Sequence, residues 1–144
     1  MPTEPMRADP AEPIEARVTR LMKDWRAAII QKNPEVVESL DRAFAAQPGV
    51  FIPALMASAE GDPEERVRSF STRVLGKLRP PESVELMRKL LDDRSEYVRF
   101  NAAWATGELG DRQAVSRLRQ LQKRDPSPNV RRSADASLRK MDGG

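Results

Sequence analysis

Cysteine and histidine are both absent from this 144-residue sequence. Without cysteine there is no disulfide frame and no thiolate nucleophile. Without histidine there is no imidazole ligand and no histidine general base. Zinc sites of the usual kind and most nucleophile–histidine arrangements are therefore excluded. No apolar run approaches about 18 residues, so no membrane-spanning helix is expected. The opening stretch, MPTEPMRADPAEP, lacks a basic start followed by an apolar segment, so it does not read as a secretory signal. Aromatic residues are only 5% of the chain, which makes each of them worth placing. No catalytic residue, metal site or cofactor site emerges. A cytoplasmic, bacterial-type protein that is not an enzyme is the default expectation.

What the sequence does contain is charge, at 33%, beside 39% hydrophobic residues. That balance suits one helix-rich domain with wide solvated faces. Residues 1–13 include four prolines and almost no large apolar side chains. Such a segment cannot offset the entropy of ordering its backbone, so a disordered Pro-rich tail is expected there. A single helical domain is expected over residues 14–142. Ile14, Val18, Leu21, Met22, Trp25 and Ile29 form the apolar stripe of a first helix. Asn33-Pro34 ends it and opens a second, with Val36, Val37, Leu40 and Phe44 inward. Gln47-Pro48-Gly49 reads as a turn. Phe51, Ile52, Leu55, Met56 and Ala59 line a third helix, which tolerates Pro53 only in its first turn. Asp62 reads as an N-cap and Pro63 as a first helical residue.

Beyond this point the chain copies itself. Val67, Val98 and Val130 are each followed by Arg and preceded five residues earlier by Asp. Four residues after each valine stands a small residue: Ser71, Ala102 and Ala134. Nine after it stand Gly76 and Gly107, with Arg139 breaking the rule, and eleven after it Leu78, Leu109 and Met141. The copies are offset by 31 and 32 residues. Val84, Met87 and Leu90 recur as Val115, Leu118 and Leu121 in what reads as a second helix of each unit. A hairpin of two short helices cannot bury its apolar face alone, so such units must stack on their neighbours.

This repeat resembles HEAT repeats, and in particular the short HEAT-like repeats named after phycobilisome lyases. The resemblance covers about residues 34–142 and is best over 62–122. It implies an all-α fold: a right-handed α-solenoid of stacked helical hairpins, about seven to eight helices. It also implies a structural ladder between adjacent repeats, made by Asp62 and Arg68, Asp93 and Arg99, and Asp125 and Arg131. The bilin-attaching activity behind the lyase name has no support here beyond the repeat itself.

Subtracting the common positions leaves two features. In the copy that runs from Asp93 to Asp111, Tyr97, Phe100 and Trp104 fall opposite the Val98 and Ala102 side of the helix. The other copies carry Arg66, Ser69 and Arg73, then Asn129, Arg132 and Ala136, polar or small as a solvent face should be. Tyr97, Phe100 and Trp104 are therefore the candidate partner-binding residues, the alternative being burial against a neighbouring segment. The last quarter, residues 111–144, holds nine basic and four acidic side chains. Arg117, Arg119, Lys123, Arg124, Arg131 and Arg132 form a candidate basic patch.

The expected function is a non-enzymatic protein–protein interaction scaffold or adaptor presenting a curved repeat surface to a partner protein. The alternative is nucleic-acid binding through the basic last quarter. An enzyme or enzyme-activating subunit ranks third, because carboxylates such as Glu82, Glu85, Asp92 and Asp93 have no basic or glycine-rich companion. The oligomeric state is left open, since the last helix is either a polar cap or a surface for another chain.

Overall fold

The computed structural model describes residues 11–143. Among the described residues there are eight α-helices and no strand, so the all-α, stacked-hairpin expectation holds. The helices are α1 (Ile14–Ile30), α2 (Pro34–Ala46), α3 (Pro48–Gly61), α4 (Glu65–Leu78), α5 (Val84–Leu90), α6 (Glu96–Leu109), α7 (Val115–Arg124) and α8 (Pro128–Gly143). By its internal packing the chain divides into two compact units, Met1–Leu55 and Met56–Gly144. The division falls inside α3. Of the tail expected to be disordered, residues 1–10 lie outside the described part. Glu12 is tied to Arg20 by two hydrogen bonds of 2.9 Å. That bonding to Arg20 holds the Glu12 carboxyl below its ordinary range.

The first unit is built on aromatics. Trp25 and Phe44 meet edge to face at 5.4 Å, and Phe44 and Phe51 lie 4.7 Å apart. All three are fully buried, with Leu21, Leu40 and Leu55 around them. The indole N–H of Trp25 donates to Asp41 Oδ1 at 2.9 Å, so this buried ring keeps its polar edge satisfied. Ile14 departs from the expected stripe: it is 63% exposed, because it occupies the first turn of α1. The α1 end is a six-to-one turn in which Asn33 N–H donates to Ala28 O and Lys32 N–H to Ile29 O. Lys32 takes the left-handed conformation that this motif requires, at φ 57°. Asn33 then caps α2 through Val36 N–H at 3.3 Å, and Pro34 fills the first helical position.

Two expectations about prolines fail, for one reason. Pro48 does not end a turn; it opens α3, because a first-turn residue needs no N–H. Only Gln47 separates α2 from α3. Pro53 therefore stands inside the helix rather than in its first turn. Its missing N–H would have bonded the carbonyl of Gly49, a residue of the opening turn, so few neighbouring bonds are disturbed.

In the second unit, α6 packs between α4 and α8, while α5 packs on α6 and α7 on α8. The core follows the repeat: Val67, Leu75, Met87, Leu91, Val98, Ala102, Leu118, Val130 and Ala134 are buried. Small residues bring the helices close. A Cβ on Gly76 would lie 2.4 Å from the Trp104 ring, and one on Gly107 would lie 2.7 Å from Ser137 Cβ. Each glycine of the repeat thus receives a side chain of the following copy. Ser137 Oγ–H donates to Ala103 O at 2.6 Å and Ser133 Oγ–H to Phe100 O at 2.8 Å, strapping α8 to α6.

Asp62 is not the N-cap of α4, which begins at Glu65. Its carboxylate instead accepts Glu64 N–H at 2.9 Å, and Asp93 and Asp125 accept Ser95 N–H and Ser127 N–H at 2.8 and 2.9 Å. In each copy the aspartate closes a turn two residues long, ahead of the helix.

Candidate functional site

The same aspartates are the lower half of a ladder. Arg68 reaches Asp93 of the next copy with two hydrogen bonds of 3.1 and 3.2 Å, and Arg99 reaches Asp125 with bonds of 2.9 and 3.2 Å. Within each copy the arginine also donates to its own aspartate's carbonyl, Arg68 to Asp62, Arg99 to Asp93 and Arg131 to Asp125. The two-point fork suits guanidinium meeting carboxylate. Arg68 and Asp93 are almost fully buried. A second, offset tie links Arg88 to Asp111 at 2.5 Å, and this hydrogen bond raises the guanidinium pKa further.

The outer side of α4, α6 and α8 carries a groove of about 470 Å³. Ser95 caps α6 through Tyr97 N–H at 3.2 Å and sets the start of the helix. With Val98, Ala102 and Ala105 turned to the core, Phe100 and Trp104 face the groove. Arg73 and Lys77 enter from α4, and Arg132, Ser133 and Ala136 from α8. Asn101 forms part of the wall and donates to Ser69 O and Oγ at 3.1 and 2.8 Å, tying α6 to α4. Arg73 lies over the face of Phe70, its guanidinium carbon 4.6 Å from the ring centre.

Of the three candidate aromatics, the groove brings Phe100 and Trp104 together and leaves Tyr97 outside its lining. Tyr97 and Phe100 are 55% and 40% exposed. Trp104 is only half-buried-out: its ring lies on Gly76 of α4. The expectation that this whole face meets solvent in every copy is corrected at Ser69, which is buried. The reason is stacking: α4 is covered on that side by α6, so a helix inside the stack buries two flanks. The lining residues not singled out from sequence are Arg73, Lys77, Asn101, Ser133 and Ala136. A usable signal was there. Ser69, Phe100 and Arg132 occupy one repeat position, and Arg73, Trp104 and Ala136 another, so the groove runs along two columns of the repeat.

The candidate basic patch is not one surface. Arg132 lines the aromatic groove, whereas Arg117 and Arg124 line a separate hollow of about 300 Å³ on α7. Arg117 is paired with Asp92 at 2.5 Å, and Arg131 bonds to Asp125 O at 2.6 Å. Arg119 and Lys123 are exposed on α7 and line neither hollow. A third hollow, of about 420 Å³ between α3 and α5, is lined by Glu60, Glu82 and Glu85, with Lys89 paired to Glu60. Among the described residues no three acidic side chains gather closely enough to hold a metal ion. No helix among them is long and apolar enough to cross a membrane.

The chain is 29% identical over 141 residues to a deoxyhypusine hydroxylase of Aspergillus niger. The match covers 95% of this chain and 42% of the relative, so the chain spans about two fifths of the relative's length. The relative is an enzyme, and this overturns the expectation of a non-enzymatic adaptor, together with its nucleic-acid-binding alternative. The missing step is physical: a repeat motif reports how helices stack and is silent on chemistry. A family profile for HEAT repeats matches residues 52–139, more than half of the sequence. That span takes in the whole ladder and the groove, and the chain belongs to the HEAT-repeat family.

Proposed function

We propose that this protein takes part, as an enzyme chain, in a hydroxylation in which its repeats hold a partner protein while a C–H bond of that partner's side chain becomes C–OH; one oxygen atom comes from dioxygen and the other leaves as water with two electrons and two protons from an external reductant. The observation that carries the enzymatic half is the alignment with the hydroxylase along 95% of the chain. The protein-directed half draws on the family, since HEAT repeats generally mediate protein interactions. The largely apolar groove on α4, α6 and α8 supports it, its volume of about 470 Å³ lying within the usual range of ligand-binding clefts.

The test compares the proteins of host cells with and without the gene by mass spectrometry. The expected result is a side chain that gains the mass of one oxygen atom only when the protein is present. If no oxygen-bearing side chain depends on it, and the purified chain adds none to a deoxyhypusine-containing protein, the hydroxylation reading falls.

A further inference from the structure

We propose that the groove across α4, α6 and α8 captures a short acidic segment of a partner protein, with one apolar side chain of that segment against Phe100 and Trp104. Two observations lead there. The first is charge. Arg73, Lys77 and Arg132 stand around the groove, and no acidic side chain lines it. Carboxylates flanking an apolar anchor would meet cations on both walls, from α4 and from α8. A basic segment would meet like charge at every side. The hollow between α3 and α5 has the opposite bias, with Glu60, Glu82 and Glu85 against Lys89 alone. An acidic segment is therefore repelled from that hollow and drawn to this one.

The second observation is preorganisation. Arg73 lies over the Phe70 ring, a contact that restricts its guanidinium and lowers the entropy lost on binding. The walls are tied together beneath the groove by Asn101 to Ser69 and by Ser133 to Phe100 O. Trp104 is seated on Gly76, so its ring is held by α4 rather than free in solvent. Aromatic and arginine side chains on a rigid floor are the usual makings of a binding hot spot. The columns of the repeat matter here as well. Phe100 and Trp104 replace a serine and an arginine of the preceding copy; neither takes part in the ladder, and Trp104 packs only by one ring edge on Gly76. This inference goes beyond the hydroxylation reading and holds whether or not the captured protein is the one hydroxylated.

The test uses the full chain and fluorescein-labelled peptides, read by fluorescence anisotropy. One set places a single leucine or tryptophan among aspartates and glutamates. A second set replaces the acids with lysines, and a third replaces the anchor with glycine. The first set is expected to bind about tenfold or more tighter than either of the others. Phe100→Ala and Arg132→Glu each weaken it about tenfold, and Arg132→Glu also flattens its salt dependence. Both side chains are exposed, and unchanged melting temperatures show that the variants fold. Tyr97→Ala, outside the groove, leaves binding unchanged. Tighter binding of the lysine set, or a Tyr97→Ala loss equal to that of Phe100→Ala, overturns the proposal. So does an acidic set that shows no binding below about 1 mM, or a dimer of this chain that Phe100→Ala dissociates. Lost peptide binding with oxygen transfer intact removes the groove alone. Peptide binding with no oxygen transfer removes the enzymatic reading alone.

Discussion

Replacing Gly107 by alanine adds one methyl group, and the structure says where it goes. A Cβ at that position would lie 2.4 Å from Ser137 Oγ, 2.7 Å from Ser137 Cβ and 3.0 Å from Ser137 Cα. Ordinary carbon–carbon contact is about 3.5–4.0 Å, so α8 must retreat from α6 by roughly 1 Å. Rotating Ser137 away does not help, because its own backbone is among the contacts. Overpacking of this kind costs about 1–3 kcal/mol. The retreat also strains the hydrogen bond from Ser137 Oγ–H to Ala103 O, worth about 1 kcal/mol. Alanine in place of glycine returns about 1 kcal/mol of helix propensity. The balance is a loss of about 2 kcal/mol. At roughly 4 °C per kcal/mol for a chain of this size, the melting temperature falls by about 8 °C. Thermal unfolding followed by circular dichroism measures it. Gly61→Ala is the control: it adds the same methyl to α3 with nothing within 4 Å, and it should match or exceed the parent. Ser137→Gly removes the obstructing side chain, and combined with Gly107→Ala it should show a favourable coupling of at least about 1 kcal/mol. A Gly107→Ala variant that melts at or above the parent temperature refutes the close-approach argument.

Two further predictions concern stability. Arg99→Ala strips the nearly buried Asp125 of its two-point partner and should cost about 3 kcal/mol, with Arg99→Lys a poor rescue because a single ammonium cannot make the fork. Arg117→Ala, which breaks the exposed pair with Asp92, should move denaturant-derived stability by no more than about 0.5 kcal/mol, so equal losses in the two would sink the ladder's privileged role. Arg79→Gly should stabilise by up to about 1 kcal/mol in the same chemical denaturation. Arg79 holds φ 54° at the end of α4, where the next copy has Gly110 at φ 64°, and a side chain in the left-handed region is strained.

Much of the fold was legible because its causes are local and repeated. Asp93, Val98, Arg99, Ala102, Gly107 and Leu109 each recur, and each has a stacking task that any copy must perform. What misled was context within one element. Pro48 looks like a turn residue, and only the opening of α3 shows that its missing N–H is harmless there. Asp62 looks like an N-cap, and only the three parallel turns show that it stands three residues before the helix and accepts the N–H two residues on. The groove was half legible. Phe100 and Trp104 stood out against their copies, while Lys77 and Asn101 did not, since a wheel drawn for one helix says nothing about the walls that its neighbours supply. Arg132 was noticed for its charge and assigned to the wrong company, because charge counted along the chain ignores that α7 and α8 turn their arginines to different hollows.

The division between conserved task and free position explains why the enzymatic relationship left no mark in the motif. The first two copies spend arginine and glycine on the copy that follows: Arg68 on Asp93, Arg99 on Asp125, Gly76 on Trp104, Gly107 on Ser137. Those positions serve stacking wherever a following copy must be received, so they identify the architecture and nothing else. The positions that stacking leaves free can differ, as exposed Phe100 and Arg132 do, whereas Ser69, in the same column, is buried under α6. Binding specificity and chemistry can change only there without unpicking the ladder. A substitution in a free column should therefore alter partner capture at constant stability, and a substitution in a stacking column should do the reverse. Phe100→Ala and Arg99→Ala, measured side by side for peptide binding and for unfolding, place the two classes in direct opposition. If both variants lose binding and stability together, function and stacking share the same residues and the separation argued here is wrong.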